Sequence, residues 1–422
     1  MPARPTAVLL ALAAALSLPA AASAAPFAPA TTLGGFGSQP ALAEIDGAAL
    51  SASDASVVVG TSETGGGRRA VAALGNATSA RGFGPTSGAF DLSFASTAAG
   101  DTALTFTVGH VAYLVTCRGT RCRPTVRVGT SAVKPESAVA VQPGSGRTTV
   151  MWRGHTSRGG RLQWRITTGD KLGPVHTLGE FGDTPKLATD ASGRTVAVWL
   201  DRRSGRRGVR TSARRVGEFL RPTSVTSSPA GNLQLSTSDG GSFVAAWLAG
   251  PNGRNPEGPA GTVQVSTRTP TTSFGASTSL GTGSTVSLAG SPDGHAVVAA
   301  DRHVAGLSVV VSAARRTPGG SFGALADISP PQFISDAFGA QAAVANGGRA
   351  LVSWASGTDP SNPTSPVGVF ATFAASSGAF EAPQQLAATP TVAQPTGAAV
   401  TPTAAVVAWT APQGAQLARA GA

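Results

Sequence analysis

The chain is 422 residues long and carries a net charge of +11, although only 13% of its residues are charged. Its 54 glycines and 30 prolines, with Ala, Ser, Thr and Val dominating the rest, favour turns and strands over helix. This composition excludes a helical bundle or coiled coil, and two cysteines in so long a chain exclude a disulfide-scaffolded miniprotein.

Residues 1–24 read as an export leader, with Arg4 near the start, an apolar stretch over 7–18 and the small-residue site Ala22-Ser23-Ala24. About 12 apolar residues fall short of the roughly 20 that span a bilayer, so no transmembrane anchor is expected. Cleavage before Ala25 leaves residues 25–422 as one secreted domain.

Beyond the leader the chain repeats. A short apolar strand ending in a bulky residue recurs at Trp152, Trp199, Trp247, Trp354 and Trp409, with Gly60, Phe106 and Ala300 in the same place in three weaker copies. A second marker, a bulky residue followed six positions later by an aliphatic one, trails the first seven at Phe83, Cys122, Leu172, Phe219, Phe274, Phe322 and Phe380, the copies at Phe83 and Cys122 being degenerate. The eighth is missing after Trp409 and stands at the other end of the chain, as Phe27 with Leu33. An N-terminal strand that completes the last C-terminal unit is how a circular repeat closes without an open sheet edge.

Each unit divides into four strands, as in 137–141, 148–153, 162–167 and 175–178, joined by glycine-rich turns. A sheet this small cannot bury enough apolar surface alone, so neighbouring sheets must pack face to face with the recurrent Trp between them. The expected fold is all-β, a single β-propeller of about eight four-stranded blades, or seven if the unit around Phe106 or Gly60 forms no separate blade.

On this repeat pattern the chain resembles the secreted propeller-repeat proteins of GC-rich bacteria, loosely akin to the sialidase-like and BNR-repeat propellers. The resemblance spans 25–422 and implies architecture without implying an activity. Sialidases need a tyrosine nucleophile, an arginine cluster and Ser-x-Asp-x-Gly-x-Thr-Trp turns. Here the only tyrosine, Tyr113, reads as part of a third strand, and Asp190-Ala-Ser-Gly193, Ser238-Asp-Gly-Gly241 and Ser291-Pro-Asp-Gly294 read as plain β-turns before second strands.

Other chemistry is equally unmarked. No facing carboxylate pair is set out by the repeat, the five histidines are scattered, and neither a metal, nucleophile-elbow nor phosphate-loop motif is present, so no cofactor is implied. Cys117 and Cys122, within Cys-Arg-Gly-Thr-Arg-Cys, are expected to form a disulfide in an oxidising compartment. A metal site would need more ligands; a redox pair is the remaining alternative.

The basic charge is local. Between Cys117 and Pro222 stand about 21 Lys and Arg against about 7 acids, near +14, which leaves the remainder slightly acidic. The loops from second to third strands fall on one face together with the links between units. That rim carries Arg153, His155 and Arg158, then Asp201, Arg202, Arg203, Arg206 and Arg207, then Asp301, Arg302 and His303. Arginine forks there match carboxylate, sulfate or phosphate, while the competing reading is ordinary arginine-rich surface.

The sequence therefore favours a non-catalytic, monomeric binding or scaffold propeller that recognises an acidic polysaccharide or envelope polymer, or a protein partner, through a basic rim. Nucleic acid is not expected, because export and the lack of aromatics among the basic residues argue against it. The alternative is a carbohydrate-active hydrolase, a sialidase-like glycosidase, with its site in the central channel. Removing 27–33 should leave one unit a strand short and lower the melting temperature markedly; an unchanged melt would argue against ring closure.

Overall fold

The second strand of each unit is an apolar run, and 195–201 and 405–411 are buried along their whole length, as expected for a strand covered on both faces. Around such strands the computed structural model builds eight antiparallel sheets. It describes residues 25–421 except 37–42, 65–66, 86–87, 131–136, 143–144, 157–158, 170, 179–180, 202–207, 215, 251–260, 306–307, 334–338, 358–366, 377, 390–393 and 412–413.

The blades cover 43–83, 89–130, 137–177, 182–226, 230–283, 287–333, 341–389 and 394–420, and are numbered 1 to 8 in that order. In blades 1 to 7 the strands pair in sequence order from the inner to the outer edge, so the units around Gly60 and Phe106 are full blades and the count is eight. Blade 3 has the expected strands at Ser137–Val141, Arg147–Thr156 and Gly159–Thr168, with an outer edge split into Lys171–Leu172 and His176–Thr177. Among the described residues the only helical element is the 3-10 turn Asp239–Gly241.

The last sheet is completed from the other end of the chain. Thr31–Leu33 pairs antiparallel with Gly414–Ala420, Leu33 opposite Ala415. The same N-terminal segment stitches three blades together. Phe27 stacks on Phe373 of blade 7 at 5.2 Å, Ala28 N donates to Arg419 O of blade 8, and Gly34 exchanges backbone hydrogen bonds with Thr78 and Ala80 of blade 1.

The core is not one mass but eight clusters, each drawn from two neighbouring blades. Trp152, Trp199, Trp247, Trp354 and Trp409 are fully buried, and each packs toward the preceding blade. Gly129, on the outer strand of blade 2, makes room for Trp152: a β-carbon there would lie 2.3 Å from the indole. Gly60 offers no such bulk, and the interface of blades 8 and 1 instead contains Leu33 and the fully buried Phe36. The N-terminal segment thus supplies both the closing strand and the aromatic that this interface would otherwise lack.

Arginines span the seams between blades. Arg165 donates to Val128 O of blade 2, Arg214 to Thr149 of blade 3, Arg315 to Gly348 O and Ser376 O of blade 7, Arg349 to Pro402 O and Gly421 O of blade 8, and Arg419 to Asn76 and Ser56 of blade 1. Desolvation pulls all five guanidinium groups below their ordinary pKa. Arg214 also lies 5.6 Å over the ring of Trp164, and Arg349 lies 4.9 Å over Phe373.

Phe36→Ala is expected to cost about 3 to 5 kcal/mol, the range for emptying an aromatic site in a packed core. Chemical denaturation checks it; a loss below about 1 kcal/mol would mean that the closing interface does not depend on this ring.

Candidate functional site

The sequence pattern assigns the arginine-rich rim to the face that carries the second-to-third-strand loops. Arg158, Arg202, Arg203, Arg206 and Arg207 lie outside the described residues, as does the side chain of His155, whose backbone pairs with Gly160. Arg153 is half-buried and His303 exposed. The two acids turn inward. Asp201 is buried, with its N–H donating to Gly208 O. Asp301 is also buried, accepting from Thr285 Oγ1 at 2.7 Å and from Ala340 N of blade 7 at 3.3 Å. Arg302 forks onto both oxygens of Asp327 at 2.7 and 2.6 Å. In these three residues the structure finds structural partners that the sequence pattern did not announce.

The channel wall is more polar than small-residue inner strands alone would make it. The ladder slips in the inner strands of blades 2, 4 and 5, and Asp91, Thr184 and Asn232 sit at those bulges with φ of 53°, 49° and 49°. Positive φ is costly for Thr, whose branched β-carbon crowds the backbone. The Asp91 carboxylate accepts from Ser137 N of blade 3 at 2.5 Å. Desolvation by the surrounding wall pushes its carboxyl up to about 6, opposed by the Ser137 hydrogen bond and by the charge of Lys186 from blade 4. Asp183 is fully buried, and its Oδ1 accepts from Thr184 N at 3.1 Å. The charge of Lys186 from blade 4 is thus felt at Asp91 of blade 2, a residue that still presents surface to solvent, and both acids are engaged by backbone N–H groups.

The opposite face carries the turns between first and second and between third and fourth strands. Turn acids there link blades. Asp54 accepts from Thr401 and Thr403 of blade 8, and Asp293 accepts from Gly347 N of blade 7. These aspartates shape their own turns as the sequence implied, but they also hold the neighbouring turn. Asp293 accepts from Ser291 and His295 as well; its burial is outweighed by these hydrogen bonds, so its carboxyl falls to about 2.

Between blades 2 and 3 this turn face opens into a groove of about 460 Å³. Arg118, Arg121 and Arg123 enter it from the last hairpin of blade 2, Lys171 from the outer edge of blade 3, and Asp101 is the acid in its lining. Arg118 is 91% exposed and 3.9 Å from Asp101, too long and too wet to neutralise it. Arg118 and Arg121 face each other on one rung of the ladder, and Cys117 and Cys122 occupy the next rung, joined by the expected disulfide. Sequence reasoning singled out this hairpin for its cysteines and missed the groove, because Lys171 arrives from a separate turn of the next blade.

Beyond the groove, the edge of blade 3 meets blade 4. His176 stacks on Trp164 at 4.4 Å and its Nδ1 is 3.2 Å from Glu218, while Phe219 meets Trp164 edge-on. Among the described residues no group of three or more His, Cys, Asp or Glu could hold a metal ion.

The geometry defines a β-propeller with a cation-lined groove, and comparison with known proteins adds no narrower class. No family model matches the chain, and no curated protein matches it. Solved structures similar in fold include the Aleuria aurantia lectin in complex with α-methyl-L-fucoside (13% identity, 73% of this chain and 96% of that one, TM-score 0.41). Others are an α-L-arabinofuranosidase from Fusarium graminearum (11%, 68% and 93%, 0.40) and a puromycin hydrolase (16%, 90% and 61%, 0.48). At such scores none carries an argument about what this chain binds.

The buried Asp301 makes stability depend on pH. Burial pushes its carboxyl up to about 6 from an ordinary 3.8, so between these values the folded chain holds a proton that the unfolded chain releases. Its contribution to stability thus falls as pH rises through that window, by about 3 kcal/mol in total. Asp301→Asn removes the charge and keeps Oδ1 as the acceptor for Ala340 N, while its amide NH2 donates to Thr285 Oγ1 rather than accepting from it. The variant should match wild type at pH 4 and gain an advantage that grows to pH 6 and then levels, read from denaturation midpoints; a constant difference across pH would refute the assignment.

Proposed function

We propose that this chain is an exported, non-catalytic binding propeller that recognises an acidic extracellular or cell-envelope polymer. The observation that carries this reading is the groove between blades 2 and 3, where four cations surround one acid. Its volume suits a ligand pocket, and guanidinium forks suit carboxylate, sulfate or phosphate. The arginines that strap blades together have their hydrogen bonds taken up by protein, so binding falls to the exposed Arg118, Arg121 and Lys171 beside open space. This reading shifts emphasis from the rim to the turn face, and leaves Arg202, Arg203, Arg206 and Arg207 as a second basic surface of the same polymer-binding class.

A channel hydrolase draws less support. Asp91 and Lys186 place opposite charges on the wall, but Asp91 holds blade 3 through Ser137 and Asp183 is sealed from solvent. Glycoside hydrolysis needs two accessible carboxyl groups across a bond.

Residues 25–422 should be retained on a dextran sulfate matrix and not on neutral dextran, and should elute with salt. A variant with Arg118, Arg121 and Lys171 changed to Ser should elute at clearly lower salt. Loss of retention only when Arg202, Arg203, Arg206 and Arg207 become Ser would move the site to the rim, and no retention of wild type would end the polymer-binding reading.

A further inference from the structure

Apolar side chains are distributed unevenly on the surface. Among the described residues five large hydrophobics are exposed, and four of them, Leu172, Val175, Val216 and Leu220, belong to the outer turns and edges of blades 3 and 4. Val216 is 87% exposed and Leu220 66%, the two highest values among these five. Isolated exposed apolar residues need no explanation, but a run of them on one stretch of one face does.

This stretch is continuous with the cationic groove. Gly169, at the third-to-fourth turn of blade 3, lies against the guanidinium of Arg123 from blade 2, and His176 of blade 3 meets Glu218 of blade 4. Arg118, Arg121, Arg123, Lys171 and Arg221 are all exposed along it, with Leu172 directly after Lys171 and Leu220 directly before Arg221. The tips protrude: a β-carbon on Gly119 or Gly217 would meet nothing within 4 Å. The array is thus a set of projecting turns that alternate cations with bare aliphatic side chains.

A hydrophilic polyanion would satisfy the cations and leave Val216 and Leu220 in water. An anionic bilayer would satisfy both, because headgroup phosphates meet the guanidinium and ammonium groups while the aliphatic tips enter the acyl boundary. A protein partner would need a concave or flat apolar patch to reach comparable complementarity, which projecting tips interrupted by Gly217 and Glu218 do not form. We infer that the turn face of blades 2 to 4 is a peripheral docking surface for an anionic lipid bilayer, with Val216 and Leu220 as its inserting residues. The inference rests on the anion-binding reading of the same face and names the partner.

Co-sedimentation of residues 25–422, which contain the whole ring, tests it with phosphatidylcholine vesicles and with phosphatidylcholine vesicles containing one-third phosphatidylglycerol. The chain should pellet with the second and not the first. Val216→Ser combined with Leu220→Ser should weaken vesicle binding about fivefold or more while leaving salt elution from dextran sulfate unchanged. Both substitutions lie on open surface, and an unchanged thermal melt excludes misfolding. Retention on dextran sulfate without pelleting on anionic vesicles overturns the bilayer and leaves the polymer-binding reading standing. Undiminished vesicle binding by the double variant also overturns it, and loss of both activities in wild type removes the two readings together.

Discussion

A four-stranded sheet with two apolar faces has no stable life in water, and everything else in this molecule follows from where those faces are covered. Each of the eight buried clusters belongs to two blades, so no blade owns a core, and an open row would leave two faces bare. Closing the ring removes both. The closure is made by a short stretch of backbone pairing reinforced by Phe27, Leu33 and Phe36, which reach into the interfaces on either side of blade 8. That economy explains why a three-residue strand suffices: its side chains are already needed by the neighbouring packing.

Arginine has two roles in this fold that composition alone cannot separate. At the seams, guanidinium groups reach backbone carbonyls or side-chain oxygens of a neighbouring blade, and three of them cover rings of Trp164, Phe373 or Phe380. A guanidinium suits this work because it offers five donors in a plane and loses little hydration. Three of these straps, Arg315, Arg349 and Arg419, lie outside the basic segment, and two, Arg165 and Arg214, lie inside it. Local net charge therefore overstates the cations available to a ligand, whereas exposure beside open space, as at Arg118, identifies them.

The architecture was legible because the repeat writes the same physical demand eight times. Ser137–Val141 is found where alternation placed it, Tyr113 is in a third strand, stacked on Phe106 at 5.6 Å, and the misplaced marker at Phe27 and Leu33 closes the ring. Less of the site could be read. Asp301 and Arg302 look like rim residues by position, yet one is desolvated beneath Thr285 and the other is spent on Asp327, and strand position alone does not show which way a side chain turns at a strand end. The bulges at Asp91, Thr184 and Asn232 left no signal that polar alternation would reveal. Gly60 was one of three weaker markers, and the bulk missing there is supplied by Phe36, which precedes the first strand of its blade.

The hairpin of blade 2 is arranged against its own stability. Arg118 and Arg121 face each other across a two-residue turn, and like charges directly opposed on a ladder repel by up to about 1 kcal/mol. A single opposite charge at 3.9 Å from one of them does little to relieve this. The disulfide on the adjacent rung constrains the unfolded chain by roughly 2 kcal/mol, enough to offset that repulsion and to hold both guanidinium groups at the groove. A stable hairpin alone could be had by making either arginine neutral. A covalent bond beside two like charges meets the cost of bringing them together in advance, and that is the preorganisation on which the proposed anion binding would draw.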